Sequence, residues 1–131
     1  MISKLIDSME IDHLLNYGNS VDLTDSLSPE RSFKYQVFDG TVPKYADDPI
    51  PADMVACIDS LSDIKPHQVD GVLDKLETLV EHVLFLTLNT ELMPLEWWMP
   101  RIMDRFDLQR VQVTSKHQMC IVAYRADLQI H

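Results

Sequence analysis

The amino-acid sequence predicts an α/β domain, a mostly parallel sheet flanked by helices and ending in an antiparallel β-hairpin. Three observations carry this reading. Apolar runs of strand length alternate with helix-like stretches along most of the chain. The clearest helix opens at Pro66 and places Val69, Val72, Leu73, Leu76, Leu79, Val80 and Val83 on one stripe. The last two strand-like runs are joined by Thr114-Ser115-Lys116-His117 alone, a connection of hairpin length.

The elements follow in order. Residues 2–9 suit a short helix, with Ile2, Leu5, Ile6 and Met9 on one face. His13 to Tyr17 reads as a strand stopped by Gly18. Residues 22–30 are weakly helical, with Leu23 and Leu27 four apart. Tyr35 to Phe38 is a second strand, closed by Asp39-Gly40. Pro43, Pro49 and Pro51 exclude a regular helix from Thr41 to Pro51. Residues 53–58 form a third strand ending at Asp59, and Pro66 suits the first turn of the helix beyond. A run from Val83 to Leu88 has the length of a buried strand. Pro94 opens another helix, with Leu95, Trp98, Met99, Ile102 and Phe106 on one face. The hairpin strands are 108–113 and 119–124.

Composition sets the class. A chain of 131 residues, 46% hydrophobic and 24% charged, has one globular core, so residues 1–131 read as a single domain. No apolar run approaches the roughly 18 residues a membrane helix needs, so no membrane partner is expected. The N-terminus lacks the basic start and apolar stretch of a secretion signal. Cys57 and Cys120 sit in apolar strands and read as buried free thiols, consistent with a reducing, cytoplasmic setting. Neither has a metal-ligand partner at short spacing, and the five histidines form no ligand pair. His67 and His82 read as solvated residues at the ends of one helix. The net charge of −10, with 11 scattered basic residues, argues against free nucleic acid as a partner.

Four segments bear a family resemblance. Leu14-Leu15-Asn16-Tyr17-Gly18 resembles an apolar strand running into a Gly-rich turn. Tyr35 to Asp39 resembles a second strand that ends in an acid. Asp53 to Leu61 resembles a strand motif that ends in Cys-Ile-Asp and an apolar pair. Glu96-Trp97-Trp98 resembles a segment of short methyltransferase-like proteins from phages and marine bacteria. Together they make residues 12–124 similar to class I S-adenosylmethionine-dependent methyltransferases, which have a Rossmann-like sheet with a terminal antiparallel hairpin. The resemblance implies S-adenosylmethionine as cofactor, with three contacts. Gly18 would let backbone approach the methionine tail. Asp39 would accept hydrogen bonds from the ribose hydroxyls. Asp59 would lie near the tail, on the substrate side. It assigns no catalytic residue and no metal.

The departures from that family matter equally. Ser20 and Asp22 stand where the family turn has two further glycines, and Ser62-Asp63 replaces its Glu-His. Few residues separate Thr90 from Glu96, where the family has a longer substrate loop. Between the second strand and Asp53 the family often has another strand and helix, and here there is only a proline-rich loop. The second strand therefore becomes an edge, which invites a homo-oligomer or protein partner there. Trp98 reads as core and Trp97 as exposed or at an interface. Two functions follow from the resemblance: a methyltransferase-like protein with an active site that is reduced or inactive, or a pseudoenzyme that acts by protein–protein contact. Acidic mimicry of nucleic acid is a third reading.

Overall fold

The apolar runs form six strands and the helical stripes form two helices in the computed structural model, which describes residues 11–17, 34–38, 49–58, 65–91 and 93–125. In chain order these are β1 (His13–Tyr17), β2 (Lys34–Phe38), β3 (Ala52–Ile58), α1 (Pro66–Leu79), β4 (Val80–Asn89), α2 (Leu95–Met103), β5 (Phe106–Ser115) and β6 (Gln118–Arg125). The helices predicted at 2–9 and 22–30 lie outside the described residues.

One sheet takes all six strands, in the order β2-β1-β3-β4-β6-β5. The first four run parallel; β6 is antiparallel to both β4 and β5. Parallel strands covered on both faces need consecutive apolar residues rather than alternation. The sequence supplies them: Met54 to Cys57 in β3 and Val83 to Leu86 in β4 are buried without a break. One face of the sheet carries Leu15, Val55, Cys57, Leu84, Leu86 and Ile121, packed with the buried sides of α1 and α2. The other face gathers Ile11, Leu14, Met54, Ala56, Val83, Phe85, Cys120 and Val122. Both cysteines are buried thiols outside any disulfide, and burial pushes the Cys120 thiol up, with Arg110 offsetting part of the effect.

Element ends differ from the sequence expectation in a consistent way. The helical stripe runs to Val83 in the sequence, yet α1 stops at Leu79 and Val80 is already strand. Val80 caps the helix through its N–H to the Leu76 carbonyl and pairs with Ala52 of β3. β-branched valines at 80 and 83 fit either period, and the parallel ladder decides. As a result His82 is not at a helix end: it is half-buried in β4, its ring 5.9 Å from that of Tyr124. Phe106 similarly leaves the predicted helix to pair with Arg125. The hairpin turn shrinks to Lys116-His117, because Ser115 and Gln118 join the ladder.

Side chains bridge places where the backbone does not. The N–H groups of Asp12 and His13 donate to Asp53 Oδ2 at 3.0 and 3.2 Å, tying the entry of β1 to β3. The Gln36 amide donates to the Ile50 carbonyl at 2.7 Å and accepts from its N–H at 3.2 Å. This amide reproduces a strand-like pair of bonds where the proline-rich connection arrives at β3. On the helical face, Arg105 Nε bonds Asp74 Oδ1 at 2.7 Å and Arg105 Nη2 lies 3.5 Å from Asp70 Oδ1, joining α2 to α1. Burial alone would lower the Arg105 pKa, but its bond to Asp74 and the nearby Asp70 and Glu77 carboxylates hold it above the usual value. Arg101 lies over the Trp97 ring at 3.9 Å, so the half-buried Trp97 packs under a cation while Trp98 is core, as its spacing implies.

These contacts rank by burial. Leu84→Ala leaves a cavity at the centre of the sheet and is expected to cost about 2–5 kcal/mol in urea unfolding. Asp74→Ala breaks an ion pair whose acid is largely exposed, and its expected cost is about 1 kcal/mol or less. Equal losses in the two variants would contradict this ranking.

Candidate functional site

The site follows from strand order. β1 has β2 on one side and β3 on the other, both parallel to it. The chain steps one way from β1 to β2, then crosses back past β1 to β3. The crevice outside the carboxyl ends of β1 and β3 is therefore a topological switch point, the place where open α/β sheets bind ligands. In the register, Tyr17 stands opposite Phe38 and Asn16 opposite Ala56, so three strand ends lie side by side.

What the structure puts at these ends is aromatic and apolar. The Tyr17 and Phe38 rings stack 4.9 Å apart with 25° between their planes. Behind them, Asn16 is the one buried polar side chain among the described residues, and its Nδ2 donates to the Tyr35 hydroxyl at 3.3 Å. Beside Tyr17 a groove of about 640 Å³ runs along α1, lined among the described residues by Tyr17, His67, Gln68, Gly71, Val72 and Lys75. The two flanks of α1 differ in charge. Asp70 and Asp74 face Arg101 of α2 and Arg105 in the turn beyond it, whereas the groove flank, among the described residues, carries no acid and has Lys75 as its one formal charge. His67 is an exposed residue at the helix end, as expected, and also lines this groove. Sequence reading did not single out Gln68, Gly71 or Lys75, because their one signal is helical spacing opposite the acidic flank.

The three residues expected to contact a cofactor, Gly18, Asp39 and Asp59, lie outside the described residues. Each is the next residue after a described strand end: Tyr17, Phe38 and Ile58. A stacked aromatic pair, and a groove with no acid among its described lining residues, adjoin the crevice.

No family model and no curated protein matches this chain. Solved structures do match. Magnesium protoporphyrin IX methyltransferase from Synechocystis PCC 6803, with bound SAM, superposes with a TM-score of 0.68 at 16% identity. The match covers 95% of this chain and 76% of that one. The fold is that of class I methyltransferases. An O-methyltransferase family 2 protein from Planctomyces limnophilus DSM 3776, in complex with apigenin, gives a TM-score of 0.67 at 15% identity. That match covers 87% of this chain and 51% of the other. Mitomycin 7-O-methyltransferase gives a TM-score of 0.69 at 12% identity, covering 95% of this chain and 52% of that one. The chain thus spans about half the length of these last two. A further structure of the Synechocystis enzyme holds SAH. Among the described residues β2 is the sheet edge, as the proline-rich connection predicts.

Gly71 gives a direct probe of the groove. A Cβ built there meets nothing within 4 Å, so packing does not require the glycine. Gly71→Ala is expected to stabilise the domain by about 0.5–1 kcal/mol through helix propensity alone. A loss of stability in chemical denaturation would show that the groove is closed by a neighbour at that point.

Proposed function

We propose that this chain binds S-adenosylmethionine across the carboxyl ends of β1, β2 and β3 and acts as a methyltransferase-like protein. The observation that carries the reading is the switch point between β1 and β3, in a fold whose solved neighbours include one with bound SAM. In this reading Gly18 takes the backbone close to the methionine tail. Asp39 accepts hydrogen bonds from the two ribose hydroxyls, and Asp59 faces the tail from the end of β3. When bound, the cofactor supplies an activated methyl group for in-line displacement by an acceptor. Such a step depends mainly on alignment of the reacting atoms, so the chain's task is to position them rather than to provide a strong base.

A second reading rests on specific residues. Ser20 and Asp22 replace glycines at the turn after β1, and an Asp carboxylate near the cofactor's own carboxylate is unfavourable. These changes support a reduced form of the family, akin to the short forms of phages and marine bacteria, that works as a pseudoenzyme through protein contact. The β2 edge, five residues long, is the surface we assign to a second copy or another protein partner in that case.

A thermal-shift and calorimetric titration with S-adenosylmethionine separates the two. Ligand at about 100 times its dissociation constant stabilises a folded domain by roughly 2.7 kcal/mol, a readily measured rise in Tm. Asp39→Ala is expected to weaken binding about tenfold or more, since it removes charge-assisted hydrogen bonds worth about 1.5–3 kcal/mol. No stabilisation of the wild-type chain at millimolar cofactor would overturn the methyltransferase reading and favour the pseudoenzyme.

A further inference from the structure

The opposite edge of the sheet differs from β2 in three respects. First, β5 is ten residues long, and every residue from Gln109 to Ser115 is exposed. Second, its exposure is partly apolar: Val111 is 39% and Val113 68% exposed, while Met103, at the end of the adjacent α2, is 58% exposed. Third, its charge is inverted relative to the molecule. Acids outnumber bases 21 to 11 in the chain, yet from Leu108 to Arg125 there is no acid, and Arg110, Lys116 and Arg125 are present.

The ladder also delimits the usable edge. Register shifts fall between Leu108 and Arg110 and again between Val113 and Ser115. Bulges of this kind bend a strand and blunt its edge against long pairings. Between them, Arg110 to Val113 pairs regularly with Val122 to Met119, leaving one short flat stretch at the sheet's border. Faces follow from the partners. Val111 and Val113 stand opposite Ile121 and Met119, on the helical face. Arg110 and Gln112 stand opposite Val122 and Cys120, on the other face.

We propose that the Arg110–Val113 edge docks a short extended peptide segment of alternating apolar and acidic residues, added to the sheet as a seventh strand. Main-chain hydrogen bonds to the free edge of β5 provide the attachment. Apolar residues of the segment cover Val111 and Val113 on one face, and its acids meet Arg110 on the other, with Lys116 at the hairpin tip. Screening at physiological salt limits attraction to about 8 Å, so an acidic segment at this stretch meets Arg110 and Lys116, with Asp107 at the start of β5, rather than the acidic bulk of the molecule. The same balance disfavours nucleic acid, which needs many more phosphate contacts than this edge offers. Two adjacent copies of β5 would bring two acid-free hairpins together, which disfavours a second copy as the occupant. This surface is independent of the cofactor reading.

The test is fluorescence anisotropy with a labelled synthetic peptide, acetyl-Gly-Val-Glu-Val-Asp-Val-Gly-amide, titrated with the full chain, and with a control in which lysines replace both acids. Saturable binding of the acidic peptide is expected, at least tenfold tighter than the control and weakening with added salt. Arg110→Glu and Val113→Asp, both on exposed positions, are expected to weaken it at least tenfold, with the circular dichroism spectrum unchanged. Amide exchange at 110–113 should slow in the complex. No saturable binding at millimolar protein, equal binding of the control, or indifference to both substitutions would overturn the proposal. So would an Arg110-dependent dimer of the chain without peptide binding.

Discussion

Strand β1 accepts a parallel neighbour on each side, and the rest of the domain is arranged around that constraint. A central parallel strand has no face or edge open to water, so its side chains must be apolar or satisfied within the protein. Leu14 and Leu15 meet the first condition, one on each face, and Asn16 meets the second in part, through the bond from its Nδ2 to the Tyr35 hydroxyl. Asp53 fixes the height at which β1 enters beside β3, by taking two backbone N–H groups on one carboxylate oxygen. Gln36 then holds the returning chain at Ile50. Because these polar ties sit low on the strands, the upper ends of β1, β2 and β3 remain side by side.

Two helices on one face give the sheet its second layer. α1 serves both as core and as divider. Its acidic flank binds Arg105, in the turn after α2, while the other flank borders the groove beside Tyr17. The same helix therefore partitions its own charge, placing Asp70 and Asp74 where arginines meet them and, among the described residues, no acid on its groove flank. The antiparallel pair β5–β6 extends the sheet in the other direction and carries, from Leu108 to Arg125, no acid.

Much of this was legible in the sequence where one signal acted alone. β1 was readable to the residue, because the run His13 to Tyr17, carrying Leu14 and Leu15, is stopped by Gly18. Proline spacing between Phe38 and Ala52 left no room for a helix, which foretold that β2 would be an edge. Errors arose where two periods competed. Val80 fits the helical stripe of α1, but pairing with β3 claimed it for β4, which thus begins three residues before the strand expected from Val83. Phe106 fits the stripe of α2, but the long hairpin ladder claimed it for β5. Long-range pairing is invisible to local periodicity, so the sheet always lengthened at the helix's expense. The groove residues Gln68, Gly71 and Lys75 were illegible for another reason: their meaning lies in what faces them, not in their type.

The proposed ligand site lies at the carboxyl ends of β1, β2 and β3. Backbone amide chemical shifts recorded while S-adenosylhomocysteine is added test it directly, residue by residue. Saturable shifts are expected at Tyr17, Phe38 and Ile58 and their next neighbours, with Arg110 to Val113 unmoved. Shifts centred on the β5–β6 hairpin, or none at millimolar ligand, would contradict it.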